Sequence, residues 1–184
     1  MSNLTEKQIK REEIFHGVAL HVVRDEVSLP NGNRSVREIC LHDGAVAIIP
    51  ILDDGRVIME RQYRYAHSRV VLEIPAGKLD SKEEIPLEAA KRELREETGA
   101  VAEKITFLGE IASSPALLSE IIYLYMAEGI SFGERELDED EFLDVELIPL
   151  DTLYQMVMKG EIADSKTQIA VLKAYEILKS RKVL

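Results

Sequence analysis

Three acidic residues within one helical turn carry most of the chemistry this sequence can do. Glu93, Glu96 and Glu97 stand in the run Arg92-Glu93-Leu94-Arg95-Glu96-Glu97-Thr98-Gly99. On a helix, positions 93 and 97 share one face and 96 lies beside them. Like charges spaced i,i+4 cost about 0.2–0.5 kcal/mol per pair, so the cluster needs counter-charge. Arg92 and Arg95 supply some of it. A divalent cation would supply more, because carboxylates and water suit hard Mg²⁺, which keeps several waters and also binds substrate phosphates. The plain alternative is a salt-bridged helix facing solvent, and the turn in front of the helix argues against it. In Glu73-Ile74-Pro75-Ala76-Gly77 the proline forces a bend, and Gly77 lets a ligand approach the backbone. The Ala76 carbonyl can then join the carboxylates as an oxygen ligand.

The helix that must hold these acids has clear limits. Pro86 suits its first position, where a missing N–H costs nothing, and Gly99 suits its left-handed stop. Between them Leu87, Ala90 and Leu94 form one apolar stripe. Residues Met1 to about Phe15 read as a charged, frayed stretch. Val18 to Leu29 holds enough Val and Leu for a strand or two, and Pro30-Asn31-Gly32-Asn33 is a hairpin turn leading to a partner strand over Ser35 to His42. Ala45 to Leu52 and Arg56 to Arg64 read as strands joined at Asp53-Asp54-Gly55. Val70 to Ile74, Ile105 to Ile111, Ile121 to Met126 and Phe142 to Ile148 are further strands. Ile130 to Asp140 reads as an acidic loop, and Pro149 to Lys159 and Ser165 to Ser180 as helices. Strands, helix, strands and helices in this order predict a mixed α/β fold. The expected domains are an N-terminal antiparallel β ribbon over 1–42 and a second domain over 43–184.

Composition narrows the function. With 184 residues and 46% hydrophobic content, the chain can fill one sizeable core. A net charge of −11 argues against nucleic acid or an anionic membrane as partner. An anionic substrate would then depend on metal ions and a few local arginines. No apolar run is long enough to span a membrane, and the start shows no apolar signal region. Cys40 is the single cysteine, which fits a reducing cytoplasm.

The stretch from Gly77 to Ala100 resembles the Nudix box, Gly-x5-Glu-x7-Arg-Glu-U-x-Glu-Glu-x-Gly-U with U apolar. Gly77, Arg92, Glu93, Leu94, Glu96, Glu97, Gly99 and Ala100 match it. From Gly77 to Arg92 is 92 − 77 = 15 positions, one more than the pattern. Glu84 keeps the spacing to Arg92, and Glu83 keeps the spacing from Gly77. Glu84 is preferred, since a loop absorbs an insertion more cheaply than a helix. The resemblance implies a Nudix α/β/α sandwich with a mixed sheet. Pro115 lies 115 − 99 = 16 positions beyond Gly99, where a proline resembles the ADP-ribose pyrophosphatase subgroup; a plain turn proline is the alternative. The same likeness extends through Arg37-Glu38-Ile39, Gly44-Ala45-Val46-Ala47, Gln62-Tyr63-Arg64 and Asp140-Glu141-Phe142.

That resemblance implies metal-dependent hydrolysis of ADP-ribose to AMP and ribose 5-phosphate. Another nucleoside diphosphate sugar such as GDP-mannose, or a nucleotide-sensing domain without catalysis, are the alternatives. It implies Mg²⁺, with Mn²⁺ as a substitute, on the Ala76 carbonyl, Glu93 and Glu97, with Glu96 close by. Gly77, Glu84 and Arg92 would be structural. Arg64 and Arg37 would contact phosphate or ribose, with Lys78 and Pro115 among the substrate contacts. Glu73 would accept a bond from adenine or ribose, or else pair with a nearby arginine. The catalytic base would come from the acidic loop, with Glu141 preferred and Glu139 and Asp138 as alternatives. A ribbon too small to stand alone must pack on something, either its own domain or a second subunit, and the resemblance to ADP-ribose pyrophosphatases implies a two-fold homodimer.

Overall fold

The computed structural model describes residues 3–137 and 141–181. The elements are β1 (Lys7–His16), β2 (His21–Ser28), β3 (Arg34–Leu41), β4 (Ala45–Pro50), β5 (Arg56–Arg64), β6 (Arg69–Glu73), β7 (Ala76–Lys78), α1 (Pro86–Thr98), β8 (Ala100–Ala112), β9 (Ile121–Phe132), β10 (Leu143–Pro149), α2 (Leu150–Met158) and α3 (Ser165–Arg181). They divide into two compact units. One holds the residues up to Gly44 with Ala112–Ile121; the other holds Ala45–Ile111 with the residues from Ile122 onward.

The first unit is the antiparallel sheet β1-β2-β3. The Asn-Gly turn closes β2 onto β3, with Leu29 N–H bonding the Asn33 carbonyl at 2.8 Å and Gly32 at φ 85°. The segment 112–121 joins this unit at Cys40, whose N–H reaches the Leu117 carbonyl at 2.8 Å while its own carbonyl accepts Ser119 N–H at 3.0 Å. One expectation is corrected here. The stretch up to Phe15 is not frayed: Lys7–His16 is a full strand paired along β2. All ten of its residues are exposed, so no apolar periodicity announces it. Ladder bonds and cross-strand charge hold it instead, above all Arg11 against the buried Asp25 at 2.8 and 2.6 Å.

The second unit is an α/β/α sandwich with mixed pairing. β4 runs parallel to β9 and antiparallel to β7, in the sheet β7-β4-β9-β8. β10, β5 and β6 pair antiparallel beside it. Strands buried on both faces send alternate residues to opposite layers. Val46, Ile48, Ile58 and Tyr125 pack with Ala89, Ala90 and Leu94 of α1. Ala47, Ile49, Met59, Leu124 and Met126 pack with Leu153 of α2 and Ala170, Val171 and Ala174 of α3. β8 begins directly after Gly99, and β9 runs on to Phe132, so both strands are longer than expected and the acidic loop is shorter. Their extra turns of ladder carry exposed residues such as Val101 and Phe132, which gave no core signal. No described helix is long and apolar enough to cross a membrane.

Candidate active site

α1 starts at Pro86 and stops at Gly99, which adopts φ 69° while its N–H bonds the Arg95 carbonyl at 2.8 Å. With Ala90 and Leu94 facing the sheet, the neighbouring Glu93 and Glu97 are carried inward as well: they are 9% and 3% exposed. The glycine of the preceding strand makes room for them. A Cβ on Gly77 would fall 1.9 Å from Glu93 Oε1, so only a glycine lets that carboxylate lie against β7. Ala76 N–H donates to Glu97 Oε2 at 2.9 Å and fixes the second carboxylate.

Arg92 ties the turn to the helix. Its Nη1 donates to Glu93 Oε1 at 2.8 Å and to Glu96 Oε2 at 3.1 Å, and its Nη2 to the Lys78 carbonyl at 3.3 Å and Glu84 Oε1 at 3.4 Å. Glu84 also accepts Asp80 N–H at 2.6 Å. It is therefore Glu84 that reaches Arg92, and the additional residue lies in the turn before it. Lys78 enters this network through its backbone carbonyl, while its residue as a whole is exposed.

Two residues that sequence reasoning did not single out complete the acid cluster and its surroundings. Glu60, on β5, is 4% exposed, and no donor among the described residues reaches its Oε1. Lys166, at the start of α3, bonds Glu73, as does Arg64, whose Nε and Nη2 grip the same carboxylate at 2.7 and 2.9 Å. An acid interrupting the apolar run Val57-Ile58-Met59 was the readable signal for Glu60. For Lys166 it was the Asp164-Ser165 helix start. Asp164 caps α3 by accepting Thr167 N–H at 2.9 Å, and Thr167 Oγ1 in turn accepts Ile74 N–H at 2.9 Å. That bond anchors the Pro75 turn to α3. Arg64, Tyr65, His67, Arg69, Glu73 and Lys166 line a cavity of about 510 Å³.

Electrostatics separate the carboxylates. Burial pushes the Glu93 carboxyl up to about 7, against the pull of Arg92. Burial likewise raises Glu97, with Glu60 and Glu93 adding to the effect, and raises Glu60, with Arg135 opposing and Glu141 adding. Burial would raise Glu73 too, but Arg64 and Lys166 outweigh it and hold the group below its ordinary value. Glu141 is half-buried and acts on Glu60, Glu93 and Glu97 alike. Glu139 and Asp138 lie outside the described residues.

Several carboxylates buried together, one with an oxygen that no donor among the described residues reaches, are what a cation relieves. The donors are all oxygens, which suits a hard divalent cation. The arrangement thus suits charge neutralisation and water activation at a phosphate ester or anhydride. The remaining expected residues belong to the first unit. Arg37 is engaged there with Glu6 at 3.0 Å and Ser35 at 3.0 Å. Pro115 opens a turn in which Leu117 and Leu118 N–H bond the Ser114 carbonyl at 2.9 and 2.8 Å.

Comparison with known proteins shows the family. The NUDIX domain profile matches residues 41–169. An ADP-ribose pyrophosphatase of Bacillus subtilis (strain 168) is 42% identical over 186 residues, covering 99% of this chain and 100% of that one. A methanol dehydrogenase activator of Bacillus methanolicus is 46% identical over 180 residues, covering 96% and 97%. The crystal structure of an ADP compounds hydrolase superposes with a TM-score of 0.85 at 26% identity, covering 98% of each chain. With the profile over residues 41–169, a relative 42% identical along nearly the whole chain, and a glycine turn that seats the carboxylates of one helix, this protein is a member of the Nudix family.

Proposed function

We propose that this protein hydrolyses the pyrophosphate bond of ADP-ribose, yielding AMP and ribose 5-phosphate. The observation that carries the reading is the pair of buried carboxylates, Glu93 and Glu97, set against Ala76 and Gly77 in a chain similar over its full length to an ADP-ribose pyrophosphatase. Glu93, Glu97, Glu96 and the Ala76 carbonyl would hold Mg²⁺, with Mn²⁺ as a substitute. When bound, the metal neutralises phosphate charge and acidifies a water. Arg64 and Lys166 place positive charge on the cavity wall beside the acids, for an anionic substrate. Glu73 holds both cations in place. Glu141 takes the proton from the attacking water. Glu84 and Arg92 brace the turn. Arg37, Lys78 and Pro115 are candidate substrate contacts, each tested by the KM of its alanine variant.

The direct experiment is a substrate panel assayed with Mg²⁺: ADP-ribose, GDP-mannose and a nucleoside triphosphate. The fastest turnover is expected on ADP-ribose. Much faster cleavage of another compound overturns the substrate, and no cleavage of any of them overturns catalysis. The Bacillus methanolicus relative favours a second reading, activation of a partner alcohol dehydrogenase. An increase in that enzyme's rate on mixing, with no hydrolysis of ADP-ribose, would establish it instead.

Residues 1–42 would act as a dimerising ribbon in a cytoplasmic two-fold homodimer. The support is apolar surface: Ile9, Ile14, Phe15, Leu20 and Val36 are all about half exposed on β1 to β3 and the turn between β1 and β2. Mass in solution at micromolar concentration is expected at twice 20.8 kDa. A fully active monomer would refute this.

A further inference from the structure

Glu60 sits in mid-strand where the local sequence is otherwise built for packing. Val57, Ile58 and Met59 before it are fully buried. An apolar residue at 60 would continue that core, yet a carboxylate stands there with Oε1 reached by no donor among the described residues. Its cross-strand partner on β6 is Glu73. Directly opposed like charges destabilise a sheet, and the two cations at hand, Arg64 and Lys166, are both bound to Glu73. Arg135 exerts the strongest attraction on Glu60 and Lys166 a weaker one, but Arg135 Nη2 is engaged with the Leu143 carbonyl at 3.1 Å. Toward α1, Glu60 is the leading charge felt by Glu97, and Glu141 acts on both. The carboxylate thus stands among the acids Glu73, Glu97 and Glu141, with no cation bonded to it among the described residues, on the layer that carries the box helix.

We propose that Glu60 belongs to the divalent-cation site, as a positioning residue whose Oε1 accepts hydrogen bonds from waters on the cation held by Glu93 and Glu97. This rests on the metal-dependent reading above. Among the described residues, the oxygens of Glu60, Glu93 and Glu97 do not converge closely enough to cage a bare ion. An ion held among them keeps part of its hydration shell, as Mg²⁺ does. Acceptors in that outer shell orient the bound waters and tune affinity, and losing one costs about 10–100-fold in metal binding. The same acceptor also explains why a buried oxygen stands without a protein donor: its donors arrive with the metal.

The test is Mn²⁺ binding to the full chain, followed by electron paramagnetic resonance, for wild type, Glu60→Gln and Glu97→Gln. Glu60→Gln is expected to weaken Mn²⁺ binding about tenfold or more, while its metal-free melting temperature stays at or above that of wild type. The Mg²⁺ concentration giving half-maximal activity should rise by a similar factor, with kcat largely restored at saturating Mg²⁺. Mn²⁺ affinity within twofold of wild type overturns the proposal. So does a Glu60→Gln protein that cannot fold without metal, because the carboxylate would then be supporting the fold itself. A wild type that binds no Mn²⁺, with Glu97→Gln unchanged from it, overturns the metal-dependent reading as a whole and is thereby distinguished from failure of Glu60 alone.

Discussion

Glu60 and Glu73 stand opposite each other on β5 and β6, both about 95% buried, with surroundings that differ in kind. Glu73 receives a forked guanidinium from Arg64 and the ammonium of Lys166. Its charge is answered within the protein, and its carboxyl stays ionised more readily than usual. Glu60 has an oxygen to which nothing among the described residues donates, and burial pushes its carboxyl up. A buried charge that the chain satisfies itself is part of the scaffold. One that it leaves unsatisfied is a demand on a ligand. The same contrast separates Glu84, locked to Arg92 and the Asp80 N–H, from Glu97, which has a single backbone donor in Ala76.

Substitutions can break this contrast. The largest effect is expected for Glu97→Gln. It removes a charge that serves the transition state more than the packing, so kcat on ADP-ribose should fall by about 10²–10³ with an unchanged circular dichroism spectrum. Near-normal turnover would take Glu97 out of the metal site. Arg64→Met should act on stability. It strips Glu73 of its forked partner and leaves Lys166, so a loss of about 1–3 kcal/mol is expected in urea unfolding. Glu60→Gln in metal-free protein should show no such loss, and equal losses in the two variants would erase the distinction between answered and unanswered charge.

The smallest effect is in pH. Without metal, the Glu93 carboxyl lies at about 7 against an ordinary 4.5. The folded state binds that proton more tightly than the unfolded state, so this contribution to stability is full below 4.5 and is lost as pH rises to about 7. Glu73 has the opposite sign: its contribution is present above its ordinary value and is lost as pH falls through its lowered one. A cation needs ionised ligands, so the gain in melting temperature on adding Mg²⁺ to chelated protein should grow across pH 4.5 to 7. A gain independent of pH would place the metal elsewhere.

Much of this was open to reading from local pattern. Pro86 and Gly99 bound α1 as their backbone chemistry requires, and β5 spans Arg56 to Arg64 as the apolar run and its flanking turn suggest. The spacing of the box admits Glu83 or Glu84, and the lower cost of an insertion in a loop favoured Glu84. The fold brought Glu84 to Arg92. β1 escaped notice because its stability comes from a neighbour: Arg11 finds Asp25 only when the two strands lie side by side.

The residues around the acids show where sequence stops. Residue type and helical period were enough to put Glu93, Glu96 and Glu97 on one turn and to call for a cation, because both properties are local. That Glu60 lies beside Glu97, that Lys166 reaches Glu73 across 93 positions, and that Thr167 pins Ile74 were decided by tertiary structure. Strand alternation states that Glu60 faces one layer or the other, and only the packing of Ile58 against Ala90 and Leu94 chooses the layer of α1. Burial then turns the same carboxyl group into scaffold or site, according to which cations the fold carries to it.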